Sequence, residues 1–274
     1  MNLTWGLHPE PLNLTSPKEL AEFMRNCNVD TAPVIVPKQG EISLETLSES
    51  FVPHVNALRE AGLSVESAEV QFSLKQLEGE PGILRELAEG EIQDITIAEL
   101  TKLGYFVRSR MTKARESLEA LTPILEKHKM RLILPVKGGS LIPSPSAAFI
   151  LVRGLPPYCF GVRLDPGGEL FEGFEAWDYT VALLGDYLAS VVVSDYVLTK
   201  HPGAEDANSK GWARRWATVQ DGFTDWKEMF RQLRNIEFQG RILLKPMVST
   251  TVAEVKSELD YLYSLSGGAA DSED

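Results

Sequence analysis

Cysteine is scarce in this chain: there are two in 274 residues, Cys27 and Cys159, far apart and each inside an apolar segment. Neither lies in a CxxC or Cys/His spacing, so a disulfide framework and a cysteine-based zinc site are excluded as organising devices. Two buried, reduced thiols are expected instead. Long hydrophobic runs are missing as well. No stretch approaches the roughly 18 apolar residues of a membrane span, and Met1 to Gly6 carries neither the basic segment nor the apolar core of a secretory signal. The expectation is a cytoplasmic protein with no membrane partner, in which the Asn-Leu-Thr sequons at Asn2 and Asn13 are chance matches. Positive charge is the third shortage. With 27 basic against 39 acidic residues and a net charge of −12, the overall field repels polyphosphate, so nucleic acid is not an expected partner.

What is present is globular: 43% hydrophobic and 24% charged residues. Short apolar runs alternate with amphipathic segments, the pattern of parallel strands joined by crossover helices. Strands are expected at Leu3 to His8, Ala32 to Val36, within Leu63 to Phe72, and at Tyr105 to Arg110, Arg131 to Val136, Tyr158 to Leu164, Ser190 to Val193 and Arg241 to Leu244. Proline marks two helix starts, behind Ser16 and Ser144, and Asp225 opens another. A helix is expected to end near Gly104. The stretch from Tyr196 to Phe223 exceeds ordinary loop length and reads as a functional loop. Eight strands with eight helices favour a closed α/β barrel, a (β/α)8 TIM barrel over residues 1–265, because closure removes both sheet edges. Residues 266–274, small and acidic, read as a disordered tail.

Four segments resemble the xylose-isomerase-like superfamily of sugar phosphate isomerases and epimerases, which also contains DNA-repair endonucleases. They are LTPILEKHKMRLIL at 121–134, FGVRLDPGG at 160–168, VVVSD at 191–195, and DGFTDW at 221–226 with GRILL at 240–244. Together they span about half the chain. The resemblance implies a barrel that moves a proton beside a sugar carbonyl using one divalent cation, held by a strand-five glutamate, a strand-six aspartate, a histidine and a strand-eight glutamate. Carried over position by position, the strand-five glutamate is Pro135 and the histidine two residues on is Lys137. The strand-six aspartate is Asp165, and the histidine three residues on is Gly168. The strand-seven histidine is Val192 with Asp195 matching the aspartate after it, and the strand-eight glutamate is Lys245. Proline and valine cannot ligate a metal through their side chains, and lysine brings positive charge to a cation site. No cofactor is therefore expected, and Lys245 or Lys137 is expected to pair with Asp165 where the cation would lie. The repair reading needs a multi-metal, histidine-rich site that four scattered histidines do not supply.

Asp165, Lys245 and Asp195 are accordingly the candidate catalytic residues. His8, Arg108, Arg110, Lys137, Arg163, Trp212 and Arg215 are candidate contacts for a small sugar or anionic metabolite, with Glu69 and Gln71 also at strand ends. Arg108, Arg163 and Asp165 could equally form an ion network that only solves a burial problem. The segment Trp212 to Trp216 reads either as a lid stacking on a sugar or as a homodimer contact. Two functions remain open: an isomerase/epimerase relative that no longer uses the metal, and a non-catalytic barrel that binds an anionic metabolite or a protein.

Overall fold

A computed structural model describes residues 3–14, 16–40, 43, 45–80, 82–98, 100, 106–172, 175–200 and 211–267. Eight parallel strands form one curled sheet. In chain order they are β1 (Thr4–Leu7), β2 (Val34–Val36), β3 (Ser67–Val70), β4 (Asp94–Ile97), β5 (Arg131–Pro135), β6 (Phe160–Leu164), β7 (Leu188–Val193) and, after a separate hairpin, β10 (Arg241–Leu244). Their spatial order is β1-β10-β7-β6-β5-β4-β3-β2. Thr31, just ahead of β2, spans the seam between the two outer strands by bridging to Gly6 on one side and Ser64 on the other. Leu7 N donates to Thr31 O at 3.0 Å across that seam. A Cβ at Gly6 would collide with the Thr31 carbonyl oxygen, so the closing strand requires glycine there.

The helices α1 (Pro17–Asn26), α2 (Leu47–Glu60), α3 (Leu74–Gly79), α4 (Gly82–Glu89), α5 (Val107–His128), α6 (Pro145–Val152), α7 (Pro166–Glu172), α8 (Trp177–Leu184), α9 (Trp226–Asn235) and α10 (Val252–Ser266) surround the sheet. The proline-marked starts are where the sequence puts them, with Pro17 opening α1 and Ser144 capping α6 by accepting from Ala147 N. Asp225 caps α9 in the same way through Glu228 N. Every residue of β7 is buried, as both faces of a covered parallel strand should be. The architecture is a (β/α)8 barrel. Cys27 and Cys159 are buried free thiols, and no helix among the described residues is long and apolar enough to cross a membrane.

One strand lies elsewhere than expected. The fourth strand is Asp94–Ile97, and Val107 to Arg110 instead form the first turn of α5. Two short helices, α3 and α4, fill the stretch after β3 that looks like polar loop, and the brief Asp-Ile-Thr-Ile run follows directly. Tyr105 and the expected helix end at Gly104 lie outside the described residues, as do His201 and residues 268–274 of the tail. The stretch after β7 is a two-stranded antiparallel hairpin, β8 (Asp195–Lys200) paired with β9 (Trp212–Ala217).

Candidate functional site

All eight strands of the barrel deliver residues from their C-terminal ends to one cavity of about 620 Å³. His8, Lys38, Gln71 and Ala98 follow β1 to β4; Val136, Asp165, Ser194 and Lys245 follow β5, β6, β7 and β10. This is the face on which barrel enzymes build their sites. Of the positions carried over from the resemblance, Pro135, Lys137, Asp165, Gly168, Val192 and Lys245 line the cavity and Asp195 does not.

The interior charges form a chain. Glu69 on β3 and Arg163 on β6 are separated in the sheet by β4 and β5, so they meet across the inside of the barrel, Arg163 Nη1 donating to Glu69 Oε2 at 2.5 Å. The same oxygen is 3.0 Å from His8 Nε2. Burial alone would raise the Glu69 carboxyl, but Arg163 and the His8 hydrogen bond overcome it and hold the group well below the usual carboxylate range. Burial pushes the His8 imidazole down, against the opposing pull of Glu69. Beyond His8, Lys245 Nζ donates to Glu10 Oε2 at 2.5 Å and keeps that carboxyl ionised below its ordinary range despite partial burial.

The expected pair between Asp165 and a lysine does not form. Lys245 turns to Glu10, and Asp165 Oδ1 accepts from Gly168 N at 3.1 Å and Ser194 Oγ at 3.3 Å. Burial raises the Asp165 carboxyl in spite of those hydrogen bonds and the field of Arg163 and Lys245. Glu10, which the sequence reading does not single out, is therefore the lysine's partner. It lies 235 residues away in sequence and only barrel closure brings it near.

The other candidates separate. Lys137 lines the cavity, exposed at its rim. Arg108 and Arg110 sit on the first turn of α5 and are not among the lining residues, because the strand that would have carried them to the mouth is a helix. Asp195 is buried and away from the cavity lining. Its carboxylate accepts from Tyr196 N at 2.8 Å, Phe223 N at 3.0 Å, Thr224 N at 3.2 Å and Trp226 Nε1 at 2.8 Å, tying the hairpin to the start of α9. On β9 the two-residue period places Arg214 and Trp216 on the cavity side and Arg215 on the other. Arg214 stacks over Trp216, its guanidinium carbon 4.7 Å from the ring centroid, and that pair walls the mouth. Trp212 shares their strand face, further out along the hairpin and outside the lining. Strand alternation groups Trp212, Arg214 and Trp216 in the sequence, but which face meets the barrel is a tertiary fact.

The acidic side chains of the cavity are engaged with one another's cations and with hydrogen-bond donors rather than grouped around an open position. Glu69 is committed to Arg163 and His8, Glu10 to Lys245, and Asp165 to Gly168 and Ser194. Among the described residues no three histidine, cysteine, aspartate or glutamate side chains are grouped to hold a metal.

No family model matches the sequence, and no curated protein matches it by sequence. Solved structures do match the fold. D-psicose 3-epimerase from Clostridium cellulolyticum H10, crystallised with D-tagatose, aligns with a TM-score of 0.74 over 96% of this chain and 99% of that one, at 13% identity. A xylose isomerase-like TIM barrel protein from Mycobacterium smegmatis, in complex with magnesium, aligns at 0.67 over 95% and 92%, with 12% identity. The IOLI protein with a bound zinc atom aligns at 0.70 over 99% and 100%, with 11% identity. At these identities the shared property is the fold alone, a (β/α)8 barrel matched along nearly the whole length of each chain.

Proposed function

We propose that the cavity binds a small sugar carrying an anionic group and relocates a proton beside its carbonyl, as an isomerase or epimerase does, without the divalent cation found in some proteins of this fold. The observation that carries the reading is the cationic mouth of an otherwise acidic protein. Lys38 and Lys137 are exposed at the rim, neither having an ion-pair partner among the described residues, and Arg214 faces the cavity from the hairpin. Such a rim suits a carboxylate or phosphate. Gln71, Gln76 and Ser194 supply hydroxyl-matching polar groups, Trp216 an apolar ring for a sugar face, and the volume is that of a small-molecule site. Asp165 and Lys245, in the wall, are the residues by which the reacting end would be held. The fold is shared with a D-psicose 3-epimerase, which supports a sugar as the ligand class.

The test is a melting-temperature screen of aldose and ketose phosphates and sugar acids in buffer containing EDTA, followed by mass spectrometry of each bound compound after incubation in D2O. Binding with deuterium uptake is expected. A second reading, a barrel that only binds, is favoured by Glu69: a carboxylate held so firmly ionised is a poor proton acceptor. Melting shifts without deuterium uptake would decide for it.

A further inference from the structure

His8 has one nitrogen committed and one left over. Nε2 is 3.0 Å from Glu69 Oε2, and that oxygen also receives Arg163 Nη1 at 2.5 Å. A carboxylate held by a guanidinium is ionised and has no proton to give, so the hydrogen in the His8–Glu69 bond belongs to Nε2. Among the described residues Nδ1 has no hydrogen-bond partner, and it stands 4.0 Å from Glu10 Oε2. The ring is 1% exposed yet lines the cavity. Four charged groups face it: Glu69 from β3, Glu10 from the turn after β1, Lys245 after β10 and Arg163 from β6. Glu69 draws a proton toward the ring, while Lys245 and Arg163 repel one. Burial then decides, lowering the imidazole below its ordinary value and leaving it neutral near pH 7 with a lone pair on Nδ1.

We propose that His8 is the proton-accepting residue of this site, taking a proton from the bound sugar on Nδ1 while Glu69, clamped by Arg163, fixes its tautomer. The assignment rests on the reading of the cavity as a sugar isomerase-like site. A base oriented through its far nitrogen by a buried carboxylate is a recurrent catalytic arrangement. Glu69 is thus a positioning residue. Above Nδ1 lies the Glu10–Lys245 pair, and the Glu10 oxygen nearest Nδ1 is the one that binds Lys245. Glu10 is half exposed, so a ligand that competes for Lys245 displaces it and takes its place over the imidazole.

The step balances within the site and its ligand. The C–H bond beside the carbonyl breaks, its proton goes to Nδ1, and its electron pair becomes the C=C bond of an enolate. The carbonyl π pair moves onto oxygen, where Lys245 and Arg163 are the nearby cations. Return of the proton from Nδ1 to the neighbouring carbon, with a hydroxyl proton passing to the first oxygen, gives the isomer. No oxidant or reductant takes part.

The experiment uses the full chain labelled with 15N-histidine; with four histidines, the resonances lost in His8→Gln identify His8. Glutamine keeps an N–H donor for Glu69. The expected spectrum at pH 7 is a neutral ring protonated on Nε2, with the tautomer mixture and titration midpoint altered in Glu69→Gln. A His8 that is protonated on Nδ1 at pH 7 overturns the proposal. In parallel, D-fructose 6-phosphate and D-ribulose 5-phosphate are incubated with each protein in D2O. Deuterium uptake that falls about 100-fold in His8→Gln, while the probe still raises the melting temperature, supports the assignment. Uptake that survives within about tenfold in His8→Gln overturns His8 alone and leaves the sugar reading standing. Wild-type protein that binds without uptake, or that ignores both probes, overturns the isomerase reading and His8 with it.

Discussion

Glu69 and Arg163 form an ion pair across the interior of the barrel, 2.5 Å between Oε2 and Nη1, with each side chain only 13% exposed. Neither charge could be left alone there. Taking a carboxylate out of water costs several kcal/mol, about the scale on which the attraction of a close cation repays it. The pair also sets the properties of its neighbour, because His8 shares the carboxylate oxygen and inherits a fixed orientation.

Replacing Arg163 with methionine strands that carboxylate. The expected loss is about 3–5 kcal/mol of unfolding free energy, the usual result of removing one partner of a buried pair. Adding Glu69→Gln to Arg163→Met should recover much of it, since a neutral amide carries no stranded charge. Urea denaturation of the two single variants and the double variant at pH 7 measures this. A single variant within about 1 kcal/mol of wild type would mean that cavity water, rather than Arg163, keeps Glu69 ionised.

Glu169 on α7 predicts a pH effect of the opposite sign to Glu69. Both of its carboxyl oxygens are buried without a hydrogen-bond partner among the described residues, and burial, then the neighbouring Asp165, raise it well above its ordinary value. The folded protein therefore binds this proton more tightly than the unfolded chain does. Its stabilising effect is full below the unfolded value and is lost as pH rises through the window above it, at up to about 1.4 kcal/mol per pH unit. Glu69, held low, behaves conversely: its contribution is full above the ordinary glutamate value and fades on acidification. Glu169→Gln should thus be more stable than wild type at pH 8 and close to it at pH 5. Melting curves across that range check the crossover.

Asp195 resembles a catalytic aspartate in sequence but its hydrogen bonds are those of a scaffold. Its carboxylate gathers three backbone N–H groups and the Trp226 indole. Gly222 packs so closely on it that a Cβ there would overlap the carboxyl group. Asp195→Asn turns one acceptor into a donor facing donors, with an expected cost of about 1.5–3 kcal/mol, the range for hydrogen bonds to a charged group. The loss should be concentrated in the hairpin and the start of α9, where amide hydrogen exchange would speed up.

The barrel was largely legible in the sequence because strand ends are local events. A short apolar run closed by a polar residue, glycine or proline marks where a strand stops, and that is why Lys137, Asp165 and Lys245 reach one cavity, whereas Asp195, placed by the same reading, is drawn away from it by its hydrogen bonds. The fourth strand was not legible. Asp94–Ile97 has four residues behind two short helices, while the aromatic pair at 105–106 next to Val107 reads as a strand in the sequence and Val107 to Arg110 in fact begin α5. Partner choice was hidden for another reason. Glu69 with Arg163, and Glu10 with Lys245, are joined by closure of the sheet, and no spacing in the chain records that.

The closure itself is exposed to a small change. Gly6 faces the Thr31 carbonyl at the seam between β1 and β2, and a methyl group there must push the strands apart. Gly6→Ala should cost about 1–3 kcal/mol through overpacking. Because His8 lies two residues on, the same variant should disturb the His8 resonances, whereas a similar loss from a helix surface would not.

Glu10 gives the most direct test of how the mouth selects its ligand. In the free protein Lys245 spends its charge on Glu10, and an anionic sugar must break that pair before it can use the lysine. The pair is partly exposed, 26% and 50% for the two side chains, so its worth is discounted to about 0.2–1 kcal/mol. Glu10→Gln releases Lys245 and uncovers His8 together. Affinity for a sugar phosphate should rise by about two- to fivefold, with a steeper fall on adding salt. Lys137→Gln and Lys38→Gln, which remove rim charge without touching the Glu10 pair, should lower affinity by a similar factor. Calorimetric titration with D-fructose 6-phosphate at two salt concentrations separates these effects. If Glu10→Gln instead weakens binding, Glu10 is a ligand contact in its own right, and the picture of a carboxylate displaced by the incoming anion fails.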